Sequence, residues 1–93
     1  MARRYHGSKW DSKREAILKR DEYKCRHCKR YGKVKAATMV HHVKPVDQRP
    51  DLYLESRNLI SLCGTCHNMM HDRDSDALTA TGLEWVQRIW GEE

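Results

Sequence analysis

The chain has no phenylalanine, only two prolines and five glycines among 93 residues, and a mean hydropathy of −0.92. Hydrophobic residues make up 39% and charged residues 33%, which leaves apolar material for one thin core. No stretch approaches the ~20 consecutive apolar residues of a membrane span, so no membrane partner is expected. The start, Met1-Ala2-Arg3-Arg4-Tyr5-His6-Gly7, lacks the apolar segment of a signal peptide, and a cytoplasmic location is expected. Repeats, linkers and low-complexity segments are also absent. One domain over residues 1–93 follows, with a flexible basic arm at 1–9, a core at 10–73 and a C-terminal helical extension at 74–93. A domain this small commonly needs a metal or disulfides to hold it.

The residues that stand out are four cysteines and six histidines. Cys25-x-x-Cys28 and Cys63-x-x-Cys66 are two chelating pairs, each able to set two sulfurs on one tight turn. Two such turns complete a tetrahedron around zinc, and in an intracellular chain the thiols stay reduced, which favours metal over disulfide. A structural zinc contributes an apparent ~10–16 kcal/mol, comparable to or above the whole net stability of a small domain. Zinc would also draw His41 and His42 towards His67 and His71.

Those four histidines form two pairs. His67 and His71 stand at i, i+4 in a helix expected from about Gly64 to Arg73, which would stack both imidazoles on one face. His41 and His42 end a β-like run, Lys35 to Val43, where successive side chains point to opposite faces. One of them would face the helix and a metal, the other a substrate. Two imidazoles plus one make an open three-histidine site, the pattern of a catalytic metal.

Charge is divided unevenly. Residues 1–50 carry fifteen Lys/Arg against five Asp/Glu, a balance of +10; residues 51–93 carry three against eight, a balance of −5, giving the net +5. A basic half of this density reads as a polyanion footprint, most simply nucleic acid. By density alone, Arg3, Arg4, Lys9, Lys29, Arg30, Lys33, Lys35 and Lys44 are the candidate phosphate contacts, so binding should weaken steeply with salt. No element is built to read base edges, and sequence preference should be weak.

Trp10 to about Asp21 should be a helix, with Trp10, Arg14, Ile17, Leu18 and Asp21 along one stripe and a cap at the Ser12…Glu15 capping box, or at Ser8 or Asp11 instead. Trp10, Ile17 and Leu18 are expected in the core. The first cysteine pair is placed in a turn, and Gly32 allows a reversal after it. Pro45 ends the β-like run, residues 46–57 form an ordered loop over Leu52, Tyr53 and Leu54, and residues 58–62 a short strand. A last helix opens at a second capping box, Thr81…Glu84, with Leu83, Val86 and Trp90 sharing one buried face. His6 and His27 are assigned to the surface or to support around the ligands.

Val40-His41-His42-Val43…Pro45, followed by Asn58-Leu59-Ile60-Ser61-Leu62-Cys63-x-x-Cys66-His67, resembles the HNH endonucleases with their ββα-metal active site. The preceding Trp10…Arg14…Leu18-Lys19-Arg20-Asp21…Cys25-x-x-Cys28 extends the resemblance, which is greatest to the small free-standing proteins of tailed bacteriophages. It implies an α+β fold: a small ββα-metal domain with a structural four-cysteine zinc site and flanking N- and C-terminal helices. It implies a DNA endonuclease in which His41 binds the metal, His42 is the general base that activates water, and Asn58 orders the loop bearing that base and approaches the metal. His67 is implied as a ligand, and His71 fits the family's His-x-x-x-His variant. Some of those phage proteins are encoded near the packaging terminase, so terminase or packaging proteins are candidate partners; a monomer in the host cytoplasm is expected. Imidazole-rich coordination favours Mn²⁺, Ni²⁺, Co²⁺ or Zn²⁺ over Mg²⁺, which prefers oxygen. Two competing readings are a non-catalytic zinc module that binds nucleic acid and a packaging accessory protein without activity.

Overall fold

The computed structural model describes residues 7–72, 74–75 and 77–91. The first helix, α1, spans Ser8–Arg20 and buries Trp10, Ile17 and Leu18, one stripe at i, i+7 and i+8. It begins two residues before the expected start, because the Gly7 carbonyl already accepts from Asp11 N–H at 3.0 Å. Ser12 therefore lies inside the helix, and no side chain caps it. Ser8 and Lys9, expected in a flexible arm, are helical.

The end of α1 is bolted to the sheet. Arg20 donates to the carbonyls of Ser56 (3.0 Å) and Leu59 (2.7 Å), and the Asp21 carboxylate accepts from Ser61 N–H at 3.1 Å. Burial raises the Asp21 carboxyl, but hydrogen bonds from Arg20 and Ser61 outweigh it and hold the group below its usual range. Glu22 and Tyr23 then adopt left-handed backbone at φ 59° and 57° and turn the chain into the cysteine loop.

Cys25 caps a five-residue helix, α2 (Arg26–Arg30), where a turn was expected. Residues 35–37 do not join the main sheet as anticipated. They pair with residues 23–25, through Cys25 N–H to the Lys35 carbonyl and Ala37 N–H to the Tyr23 carbonyl, both at 2.8 Å. The strand β1 is thus Met39–His42, antiparallel to β2, Leu59–Leu62, with His41 opposite Ile60 and His42 opposite Leu59. Every residue of β2 is buried, because both faces of the two-stranded sheet are covered. The connection between the strands is ordered by short 3₁₀ turns at Pro50–Leu52 and Ser56–Asn58, with Leu52 buried beneath it.

The helix after the second cysteine pair, α3, is Gly64–Asn68 and stops well short of Arg73, which lies outside the described residues. A tertiary competitor ends it. Thr79 takes the carbonyls of Met69 (Oγ1, 2.6 Å) and Met70 (N–H, 2.9 Å), and His71 forms a β-bridge with Leu78. The last helix, α4 (Ala80–Trp90), is capped by Thr79, whose Oγ1 accepts from Gly82 N–H at 3.2 Å, two residues before the expected cap. A Cβ on Gly82 would stand 2.5 Å from the Met70 carbonyl oxygen, so only glycine permits this approach. Trp85 faces the core, with Val86, Ile89 and Trp90 beside it, whereas Leu83 is 56% exposed and leaves the face assigned to it.

Two clusters make up the core. One gathers Val43, Ile60, Leu62, Met70 and Trp85 around the cysteines; the other joins Trp10, Ile17 and Leu59. Among the described residues no helix is long and apolar enough to cross a membrane.

Candidate metal centre and active site

The two cysteine pairs meet as the spacing requires. All four sulfurs lie within 4.8 Å of one another, and none is in a disulfide. Cys28 Sγ is 3.6 Å from Cys66 Sγ and 4.0 Å from Cys63 Sγ. A tetrahedron with Zn–S bonds of ~2.3 Å has sulfurs about 3.8 Å apart, so the cage has the right size. Its electrostatics agree. Burial pushes the Cys28 and Cys66 thiols up, while Cys63 falls to about 7 because hydrogen bonds from Cys66, Cys25 and Cys28 outweigh its burial. Four thiolates this close would repel one another. A divalent cation is the partner that lets all of them ionise.

His27, read from sequence as a surface or supporting residue, is buried next to this cage. Its Nδ1 accepts from the Trp85 indole N–H at 3.0 Å, so its proton sits on Nε2. Burial and the neighbouring Arg30 lower its pKa and keep it neutral. It supports α4 through Trp85, with that nitrogen already engaged.

The four remaining histidines of the candidate site converge on a cleft of about 530 Å³ whose wall includes His41, His42, His67, His71, Trp10 and Arg14. Strand alternation separates the first two. His41 points to the side of α3, with ring centroids 5.6 Å from His67 and 5.4 Å from His71. His67 and His71 are 6.3 Å apart, although His71 stands beyond the end of α3 rather than on its face. The bridge to Leu78 holds it there instead. The three rings stand wider than the sulfur cage, which among the described residues is the only group with donor atoms all within 4.8 Å.

His41 is 2% exposed, yet its Nε2 has no hydrogen-bond partner. A buried polar atom without a partner costs free energy unless something fills the position. Burial, then the neighbouring imidazoles of His67, His71 and His42, lower its pKa to about 3, so it is a neutral donor throughout the neutral range. Burial and His71 lower His67 as well. This donor set fits a divalent cation: neutral imidazoles, one of them with an orphaned lone pair or N–H, in a cleft open to solvent.

His42 lies on the other side of β1. Its Nε2 is 2.9 Å from the Tyr53 carbonyl oxygen, which only accepts, so Nε2 carries the proton and Nδ1 the lone pair. Burial lowers its pKa, partly offset by the Tyr53 carbonyl.

Asn58 is fully buried and does not line the cleft. Its Oδ1 accepts from Lys44 N–H (2.9 Å) and Trp90 Nε1–H (3.0 Å), and its Nδ2 donates to the Lys44 carbonyl (3.0 Å). The amide is spent on the chain two residues beyond His42 and on α4, away from the cleft where an approach to the metal was expected.

The basic residues chosen by density do not mark the cleft. Lys9, Lys29, Arg30, Lys33 and Lys35 are exposed elsewhere, and Arg30 also pairs with Glu84 at 3.7 Å. Lys44 is half-buried, with Nζ 4.6 Å from the Trp90 ring. Arg3, Arg4 and His6 lie outside the described residues. Among the described residues, the cation that lines the cleft is Arg14, donating to the Thr38 carbonyl at 2.8 Å. Its place one turn after Trp10 on the buried stripe of α1 was the available signal.

The HNH endonuclease family profile matches residues 25–73, from the first cysteine to just past His71. Among solved structures, the crystal structure of the deep-sea thermophilic bacteriophage GVE2 HNH endonuclease with manganese ion is similar, at 39% identity and a TM-score of 0.67 over 69% of this chain and 70% of that one. No curated protein sequence matches.

Proposed function

Since the chain belongs to the HNH endonuclease family, whose members hydrolyse phosphodiester bonds in DNA, we propose that His41, His67 and His71 hold one divalent cation and that His42 is the general base. The observation that carries this reading is the orphaned, buried Nε2 of His41, flanked by the His67 and His71 rings and one residue from His42. A cation bound there would neutralise charge developing on the phosphate and the leaving 3′ oxygen.

The protein's own groups do the rest. The Tyr53 carbonyl fixes the His42 tautomer, leaving Nδ1 to take the proton of the attacking water. Asn58 holds Lys44, and with it the end of β1, in place through both sides of its amide. Arg14 presents a guanidinium at the cleft wall, where it would receive a phosphate oxygen. The four-cysteine cage takes a structural zinc. Manganese in the related phage enzyme, together with the imidazole donors, supports Mn²⁺, Ni²⁺, Co²⁺ or Zn²⁺ over Mg²⁺ as the catalytic ion. We further propose weak sequence preference, a monomer forming one domain over residues 1–93, cytoplasmic action and a place beside phage packaging proteins.

Supercoiled plasmid incubated with Mn²⁺, with Mg²⁺ or with chelator tests the reading. Nicking that needs metal, is stronger in Mn²⁺ and disappears in His42→Ala is expected. A mobility shift without cleavage in any divalent ion would select a binding module instead. Cutting by His42→Ala at the wild-type rate would place the base elsewhere.

A further inference from the structure

We propose that Trp10 is a positioning residue for the catalytic base, its indole setting the plane of the His42 imidazole; this rests on the reading of His42 as the base. A hydrogen bond from Nε2 to the Tyr53 carbonyl anchors one atom of the ring but leaves it able to swivel about that contact. A flat neighbour removes the swivel. Trp10 lies against His42 with centroids 5.1 Å apart and planes 20° from parallel. Tyr53 runs nearly parallel to both, at 5.9 Å and 17° from His42 and at 5.5 Å and 17° from Trp10. Anchor and plane together decide where the Nδ1 lone pair points.

Trp10 is well placed for this task. It is 8% exposed, shares a core cluster with Ile17 and Leu59, and also forms part of the cleft wall. Its helix cannot drift, because Arg20 and Asp21 tie the far end to β2, the strand paired with β1. Trp10 precedes the 25–73 segment shared with the family profile, so this support comes from α1. An apolar core residue could be any large side chain; a ring held within 20° of a second ring depends on its flat face.

The test compares Trp10→Phe, which keeps a flat face, with Trp10→Leu and Trp10→Met, which fill space without one. Each is assayed as the zinc- and Mn²⁺-loaded protein below the lowest melting temperature. Trp10→Phe should stay within about threefold of wild-type kcat. The aliphatic variants should lose about tenfold or more in kcat with KM for plasmid unchanged, as expected for a misaimed reacting group. Equal kcat for Phe and the aliphatic variants, or a loss carried by KM instead of kcat, overturns the proposal. Proton NMR of the wild-type protein gives a readout independent of any variant's folding: His42 ring protons should be shifted upfield by the indole ring current, and unshifted protons overturn the proposal. His42→Ala cutting at full rate would instead defeat the base assignment, a separable result.

Discussion

Replacing Asn58 with alanine should cost far more stability than a surface amide would. The side chain is fully buried and satisfies three groups: the Lys44 N–H, the Lys44 carbonyl and the Trp90 indole N–H. Each buried group left without a partner costs roughly 1–3 kcal/mol. Lys44 and Trp90 are half-buried, so water reaches them and the lower end applies, giving a loss of about 3 kcal/mol. For a domain of this size each kcal/mol moves the midpoint by roughly 4–8 °C, so Asn58→Ala should melt about 12–24 °C below wild type. Trp90→Phe, which loses the indole N–H and part of the ring, leaves both Lys44 bonds of the amide in place and should cost less than Asn58→Ala. Thermal unfolding followed by circular dichroism in excess zinc measures both. Cleavage assayed below the variant's midpoint should still fall, because the displaced Lys44 segment carries the end of β1. An Asn58→Ala midpoint within about 4 °C of wild type would refute the view that the amide is a clamp.

Stripping metal with a strong chelator should unfold the chain, since a structural zinc in the cysteine cage would contribute an apparent ~10–16 kcal/mol of stability; native circular dichroism in the metal-free protein would contradict this. The pH dependence of kcat/KM should show an acid limb with its midpoint below 6.5. Burial lowers the His42 pKa, the base works only deprotonated, and the rate therefore falls only once pH drops through that lowered value. A limb centred above 6.5 would contradict it. Arg14→Ala should weaken DNA binding and reduce the slope of log K against log salt by about 0.9, the signature of one lost phosphate contact; an unchanged slope in filter binding would remove Arg14 from the interface.

What could be read ahead from sequence follows from range. The two Cys-x-x-Cys pairs and the alternation of His41 with His42 are local chemistry, and both survive in the structure. The stop of α3 is not local. Met69 and Met70 carry no breaker; Thr79, ten and nine residues away, captures their carbonyls. The same threonine displaced the expected Thr81 cap, because it could bond in both directions at once. Local period alone could not show that Lys35 would pair with Cys25 rather than extend β1. Charge density failed at the cleft for a related reason: lysines spread over a basic half mark general attraction, whereas Arg14 lines the cleft because its helix buries Trp10, Ile17 and Leu18. His27 looked peripheral between two ligands until Trp85 arrived from α4 to donate to it.

The hydrogen-bond partner of the His42 ring is a main-chain oxygen, that of Tyr53. Exchanging one side chain for another cannot delete it, and Tyr53→Phe would leave it untouched. A saturation scan of point substitutions would therefore pass over this oxygen in silence. A one-residue insertion or deletion between Pro50 and Ser56 would carry it out of reach, so the length of that segment, more than its spelling, is what the nuclease has to keep.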